Sequence, residues 1–299
     1  MSWDPPPLVP GRAIRELAPE SAWRRAMQAI LPGADLQPFP TGSDVVWGDG
    51  QQVVKLSTPR WATGQQRERQ VLQAIEGRLA LATPRVKQAG EIGGWPFFVM
   101  EHVPGRSLEQ AWPELDAAGR TRIAQELGTF VASLQALPCP GLTDDWPQLW
   151  QECRTDPLTR ARRGQTLAGL TEYEPFLEAH GALHSAATVL VHSELLPAHL
   201  LVDEYNRLCA CIDWGDARLA APEYELAAPL EFLFRGEPGL AAAFLAACYG
   251  PEHGITPESL LAWALQHQFN HLPRMLGFLG LDHLPPPAEL ARRFAGLHP

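Results

Sequence analysis

The alternation of apolar and polar positions divides the chain near residue 102. Before that point, short β-branched and aromatic runs predominate: Val45–Trp47, Gln52–Leu56, Arg85–Val86 and Trp95–Met100. Runs of this kind, bounded by Gly, Pro and Asp, read as strands. Gly48-Asp49-Gly50 supplies turn chemistry between the first two, and a GEIGG turn separates the last two. Two helices belong to the same region. Ser21–Ile30 reads as an amphipathic helix from a Ser N-cap. Gly64–Gly77 ends on a glycine, and Val71, Leu72 and Ile75 mark its buried stripe. Glu68 lies four residues before Leu72 and seven before Ile75, on or beside that stripe. A carboxylate there needs a cation, and Lys55, set in an apolar strand, is the nearest inward candidate. A solvated glutamate and a snorkelling lysine are the plain alternatives.

After residue 102 the period lengthens. Ser107 and Gln110 form a capping box for a short helix. Ile123, Leu127, Phe130, Val131 and Leu134 place Asp116–Leu137 on a helix with one buried face. The stretch 138–157, with Pro138, Pro140, Pro147 and Pro157, reads as a loop bordering a cleft. Leu158–Ala187 reads as a weakly patterned helix, and Ala221–Arg235, Leu240–Tyr249 and Pro257–Gly277 as further helices. Between them, Val189–Ala217 reads as strand, loop, strand, a turn at Asp203–Asn206, and strand. Its ionisable residues stand at strand ends: His192 and Glu194 after the first, His199 before the second, Asp213 and Asp216 after the third. Rigid strands ending in such groups are the usual support of an active site. Asp213 and Asp216 read from the pattern alone as helix or turn caps at a strand end. The expected division is a lobe over 1–101 and a second over 102–299, with residues 1–20 as a tail or surface strap.

Composition narrows the classes. The net charge of −10 argues against a nucleic-acid partner. No apolar run is long enough to span a bilayer, and the first residues lack the plan of a secretory leader, so a cytoplasmic protein is expected. The five cysteines read as reduced thiols, and Cys209 and Cys211 as small apolar residues rather than a zinc site. Asp144, Asp145, Glu152 and Asp156 read as a solvated acidic face, or as the lining of a polyamine site.

The order of these parts resembles the aminoglycoside phosphotransferase family, which has the protein-kinase-like fold. The parts are Thr41-Gly42-Ser43 before the hairpin, Lys55, Glu68, an apolar strand running into Val103-Pro104-Gly105, the HSELLPAH segment and Ile212-Asp213-Trp214. The family's catalytic loop is H-G-D-x-x-x-x-N. Here His192 keeps the histidine, Ser193 stands at the glycine, Glu194 at the aspartate and His199 at the asparagine. Tyr224-Glu225-Leu226-Ala227 stands at the family's Y-D-L-A.

The resemblance implies an α+β bilobal fold, with a small β-rich N-terminal lobe and a larger, mainly helical C-terminal lobe. It also implies transfer of the γ-phosphoryl group of ATP (or GTP) to a hydroxyl of a small molecule, with Mg²⁺. By the same likeness Glu194 is the base, braced by His192. Lys55 and Glu68 hold the nucleotide phosphates, covered by Thr41, Gly42 and Ser43. The backbone of Met100, Glu101 and Val103 meets the base, and Asp213 with His199 holds the metal. The acceptors implied include aminoglycosides of the hygromycin type, and the chain is expected as a monomer or weak dimer. The changed letters at 194 and 199 leave open a nucleotide-binding pseudokinase without transfer activity.

Overall fold

The computed structural model describes residues 3–10, 12–39, 42, 44–139, 141–143, 145–183 and 187–297. The chain forms two compact units, one of residues 1–78, 82–104 and 212–215, the other of 79–81, 105–211 and 216–299.

The first unit is built on an antiparallel sheet. Its strands are β1 (Gln37–Pro38), β2 (Val45–Gly48), β3 (Gln52–Leu56), β4 (Val86–Ile92) and β5 (Trp95–Glu101), in the order β1-β2-β3-β5-β4. The β2–β3 turn closes as its sequence predicts: the Asp49 carboxylate accepts the N–H groups of Gln51 and Gln52, and Gly50 takes φ +82°. β3 is central and buried on both faces, which is why it reads as a continuous apolar run rather than an alternation. Period two sorts its side chains. Val54 and Leu56 join a cluster with Trp23, Met27 and Ile30 of α1 (Glu20–Ile30) and with Trp3. Lys55 faces the other way, on the side of α2 (Ala62–Ile75), whose buried residues include Glu68, Val71, Leu72 and Ile75. The N-terminal residues act as a strap: Trp3 lies edge-on to Trp95 at 5.7 Å and beside Trp23 at 6.0 Å.

Three details differ from the sequence reading. Pro19, not Ser21, caps α1. The helix read from Gly64 begins at Ala62 and ends at Ile75. β4 runs on to Ile92, and only Gly93 and Gly94, both at positive φ, make the turn into β5.

The second unit begins with β6 (Arg106–Ser107), α3 (Leu108–Ala111) and α4 (Ala117–Gln135). Ser107 and Asp116 cap the two helices through their side chains. Then come α5 (Trp146–Arg154), α6 (Pro157–Ala161), α7 (Tyr173–His180) and the strands β7 (Val189–Val191), β8 (Leu200–Val202), β9 (Leu208–Cys211) and β10 (Arg218–Ala220). The helices α8 (Leu240–Tyr249), α9 (Pro257–Gln266), α10 (Leu272–Phe278) and α11 (Pro287–Phe294) complete it. β7 pairs with β10, whereas β8 pairs with β6 and β9.

Several expectations are corrected here. Part of the stretch read as loop, 138–157, is helix α5: Pro147 sits in its first turn, where a missing N–H costs nothing, and the apolar positions Trp146, Trp150 and Cys153 follow a helical spacing. The helix read over Leu158–Ala187 is broken by left-handed residues at Arg163, Gly164 and Gly169. Ala221–Arg235 is a 3₁₀ turn over Pro222–Leu226 followed by a π-wound turn over Pro229–Phe234; Pro229 has no N–H to continue the first winding. Pro257–Gly277 divides into α9 and α10, the second with Pro273 in its first turn. Among the described residues no helix is long and apolar enough to cross a membrane.

Candidate active site

In the first unit, three sequence-distant residues meet. The Lys55 ammonium donates to the Glu68 carboxylate at 2.8 Å and to Asp213 at 2.9 Å, and Asp44 stands at 3.6 Å. The helix face that carries Val71 and Ile75 inward also carries Glu68, and β3 aims Lys55 at it. Burial opposes the lysine's charge, but Glu68, Asp213 and Asp44 outweigh it and hold Lys55 protonated well above its ordinary range. Burial pushes the Glu68 carboxyl up to about 7, against the pull of Lys55. Asp213 differs from Glu68 in two ways. Its side chain is 43% exposed, and its backbone is left-handed at φ +62°. A non-glycine residue held there is strained, a condition that concentrates at functional sites.

In the second unit, the segment between β7 and β8 is held from several sides. His192, Ser193 and Leu195 are fully buried, and Glu194 between them is half-buried. The N–H of Glu194 donates to Nδ1 of His192 at 3.3 Å. The Glu194 carbonyl accepts from the Leu196 N–H at 2.7 Å and from Nδ1 of His199 at 2.9 Å. A carbonyl only accepts, so the His199 proton is on Nδ1 and the ring lone pair is on Nε2. Beneath the loop, the buried Glu225 carboxylate accepts the N–H groups of His192, at 2.5 Å, and Ser193, at 3.0 Å. Burial pushes Glu225 up to about 7 despite these two bonds.

Lys55, Glu68 and Asp213 thus come together in one unit, and His192, Glu194 and His199 in the other. Met100 and Glu101 end β5, with Val103 two residues beyond. The Glu101 N–H is taken by the Arg85 carbonyl at 2.9 Å. Gly42 has φ +108° and open space where a Cβ would stand; Thr41 and Ser43 lie outside the described residues. Sequence reasoning passed over Asp44. The available signal was register: Val46 is opposite Lys55, and Asp44, two residues earlier, shares its face. Asp145 is half-buried, whereas Glu152 and Asp156 are exposed on or beside α5.

No three His, Cys, Asp or Glu side chains gather into a metal cage among the described residues. A hard cation bound through one or two protein oxygens, with phosphate and water completing its shell, needs no more than the Asp213 carboxylate. The donor set fits that mode. His199 would add a nitrogen, better suited to Mn²⁺ or Co²⁺ than to Mg²⁺.

Known proteins share this fold. Over 93% of its length the chain is similar to the GDP complex of an aminoglycoside 2'-phosphotransferase of type IIIa, covering 96% of that chain, at 17% identity and a TM-score of 0.69. It resembles an aminoglycoside-3'-phosphotransferase of type VIII over 81% of its length and 96% of the other, at 22% identity and a TM-score of 0.61. The streptomycin–ATP complex of APH(2")-IIa matches over 93% and 99% of the two chains, at 16% identity and a TM-score of 0.59. These likenesses show the kinase-like α+β fold. No curated protein matches the chain in sequence. The profile of the APH phosphotransferase enzyme family covers residues 36–263, so the chain belongs to that family and is a small-molecule kinase.

Proposed function

We propose that the protein transfers the γ-phosphoryl group of ATP or GTP to a hydroxyl of a small molecule. The observation that carries the reading is the meeting of Lys55, Glu68 and Asp213 within one unit, 2.8–2.9 Å apart at the lysine. Catalysis of phosphoryl transfer rests on position and charge neutralisation. Lys55, kept protonated and oriented by Glu68, offsets the charge of the α- and β-phosphates. Asp213 would hold Mg²⁺, which would neutralise the phosphate oxygens further, and His199 stands at the family's second metal position in sequence. Gly42 and its neighbours cover the phosphates. The base meets the backbone of Met100, the Glu101 carbonyl and Val103. The first unit serves nucleotide binding in this scheme, and the second the acceptor.

Glu194 takes the acceptor proton as the hydroxyl oxygen bonds to the γ-phosphorus and the β–γ bridging bond breaks, releasing the nucleoside diphosphate. The side chain is one methylene longer than the family's aspartate, and its backbone is clamped by His192 and His199. A placed base contributes about 10²–10⁴-fold. Glu194→Gln is expected to lower single-turnover transfer by that factor with nucleotide KM unchanged, and Asp213→Asn to abolish transfer. Intact turnover in Glu194→Gln beside a dead Asp213→Asn would remove Glu194 from the base role.

The second reading, nucleotide binding without transfer, rests on the altered letters Glu194 and His199. A nucleotide-dependent rise in Tm, with no diphosphate release across a broad acceptor panel, would favour it. As for the acceptor, streptomycin, gentamicin and kanamycin occur in complexes of similar proteins. All three are polycations, and this chain's own charges bear on whether such a ligand suits it.

A further inference from the structure

Among the described residues, two cationic side chains are buried, Lys55 at 8% and Arg218 at 9% exposure. Lys55 is surrounded by carboxylates. Arg218 is not. Its Nε donates to the Asp216 backbone carbonyl at 3.1 Å, and its nearest carboxylate oxygen, also of Asp216, stays 3.9 Å from a terminal nitrogen. That is beyond hydrogen-bond length. A guanidinium offers five donors in a planar fork, and here the two-pronged end faces no acceptor within reach.

Asp216 supplies only this one long ion pair, and the aromatic side chains beside Arg218 add no negative charge. Arg218 opens β10, whose Ala220 packs with Trp146, Cys153 and Tyr224. The ring of His267 stacks on Tyr224 at 4.1 Å. Burial, then Arg218, then Arg160 push the His267 imidazole down to about 3, so it is neutral in the working range. Burial raises the Tyr224 phenol and the Cys153 thiol, which are neutral too. Nε2 of His267 is buried with no hydrogen-bond partner among the described residues. Arg160, the second cation here, is engaged with the carbonyls of Cys153 at 2.6 Å and Gln266 at 3.1 Å. The result is a positive, mostly aromatic patch with unused polar capacity. A desolvated cation in this state favours an oxyanion.

Its place in the unit gives the patch a use. Arg218 lies opposite Val191, the last residue of β7, and the chain continues from Val191 into His192-Ser193-Glu194. The cation is therefore at the root of the loop that carries the proposed base. We infer that Arg218 binds an oxyanion of the phosphoryl acceptor, and that the acceptor is an alcohol bearing a carboxylate, such as a hydroxy acid, a hydroxylated amino acid or a sugar acid, rather than a polyamine. The inference rests on the phosphotransferase reading for its placement beside an acceptor. The planar carboxylate is the closer match to one guanidinium fork; a phosphate ester shares the oxyanion chemistry and forms a separate arm of the test.

The experiment measures nucleotide-dependent transfer to gluconate, glucose and glucosamine, to glycerate beside glycerol 3-phosphate, and to kanamycin, in the wild type, Arg218→Met and Arg218→Lys. The expected result is a preference for gluconate and glycerate over their partners of about 10–100-fold in kcat/KM, the scale of a charged hydrogen bond. Arg218→Met raises KM for the carboxylates by a similar factor and leaves the nucleotide KM and the neutral acceptors unchanged; Arg218→Lys restores part of the loss. Far-UV circular dichroism of both variants establishes that they fold, and Arg218→Lys serves if Arg218→Met does not. Transfer that favours glucosamine, kanamycin or glycerol 3-phosphate, or equal losses for all acceptors in Arg218→Met, overturns the carboxylate assignment and leaves the transferase reading standing. If no acceptor turns over, calorimetry with gluconate and glycerate separates the two readings. Binding that Arg218→Met abolishes keeps the anion site while the transferase reading fails, and absence of binding overturns the site as well.

Discussion

Ser193 stands where the family's loop has glycine, and the backbone shows what that glycine is for. The residue is fully buried at φ +71°, and its hydroxyl has no partner among the described residues. A left-handed backbone costs an L-residue about 1–2 kcal/mol, and a buried unsatisfied hydroxyl roughly 1–3 kcal/mol. Glycine at the same φ avoids both and loses about 0.5–1 kcal/mol in chain entropy. Ser193→Gly is therefore expected to raise stability by about 1–4 kcal/mol, seen in thermal melts as a rise of at least roughly 2 °C. A fall in Tm would mean that the hydroxyl has a structural partner. His199 poses a related question of ligand chemistry. Its Nδ1 proton goes to the Glu194 carbonyl, so a metal would meet Nε2. Restoring the family's amide oxygen with His199→Asn should shift the Mg²⁺-to-Mn²⁺ ratio of kcat/KM toward Mg²⁺ by about tenfold. An unchanged ratio would take His199 out of the metal's shell.

At the scale of elements, the loop and the 3₁₀ turn over Pro222–Leu226 are joined by one carboxylate, Glu225, held by the N–H groups of His192 and Ser193. Its pH dependence has two faces. For stability the folded value, about 7, lies above the ordinary 4.5, so the native state binds a proton the unfolded chain has released. The contribution is full below 4.5 and is lost as pH rises through 7, by about 1.4 kcal/mol per pH unit between them. For loop geometry the sign is opposite, since only the ionised carboxylate accepts at both oxygens without a competing proton. Glu225→Gln should thus flatten the stability slope between pH 4.5 and 7 and lower kcat above pH 7, where the wild-type carboxylate is ionised, with nucleotide KM unchanged. A variant with wild-type kcat would show that the two bonds do not set the loop. The helices were legible where one apolar face stood out, as in α4, or where the whole run was apolar, as in α8, and illegible where prolines and left-handed residues cut a continuous apolar pattern into α6, α7, α9 and α10. Proline was read as a sign of loop at 147, where it starts a helix.

For the whole chain, the order of motifs singled out Lys55, Glu68 and Asp213 although 158 residues separate Lys55 from Asp213, whereas Asp44 was passed over. Arg218 was not singled out, because sequence shows a charge but not its burial or the absence of a carboxylate at hydrogen-bond distance. The same asymmetry governs the other buried ionisable groups, whose opposing shifts give the molecule an expected stability profile. Burial raises Glu68, Glu225 and Glu231 to about 7 from 4.5, and lowers His267 from 6.5 to about 3. The carboxylates contribute stability that is full below 4.5 and lost as pH rises through 7. The histidine contributes stability that is full above 6.5 and lost as pH falls toward 3. On descending from pH 7 the carboxylates act first and stability rises; between 6.5 and 4.5 they outnumber the one histidine, so it keeps rising; below 4.5 the histidine acts alone and it falls. Tm measured at constant ionic strength is therefore expected to peak on the acid side of neutrality, near pH 4.5. His267→Phe should extend the stable range to lower pH, because no proton is then refused on folding. Glu225→Gln combined with Glu231→Gln should flatten the fall between the peak and pH 7. A wild-type peak above pH 7 that His267→Phe leaves in place would mean that the buried carboxylates ionise in the folded chain without penalty, and that their partners, not their burial, decide their state.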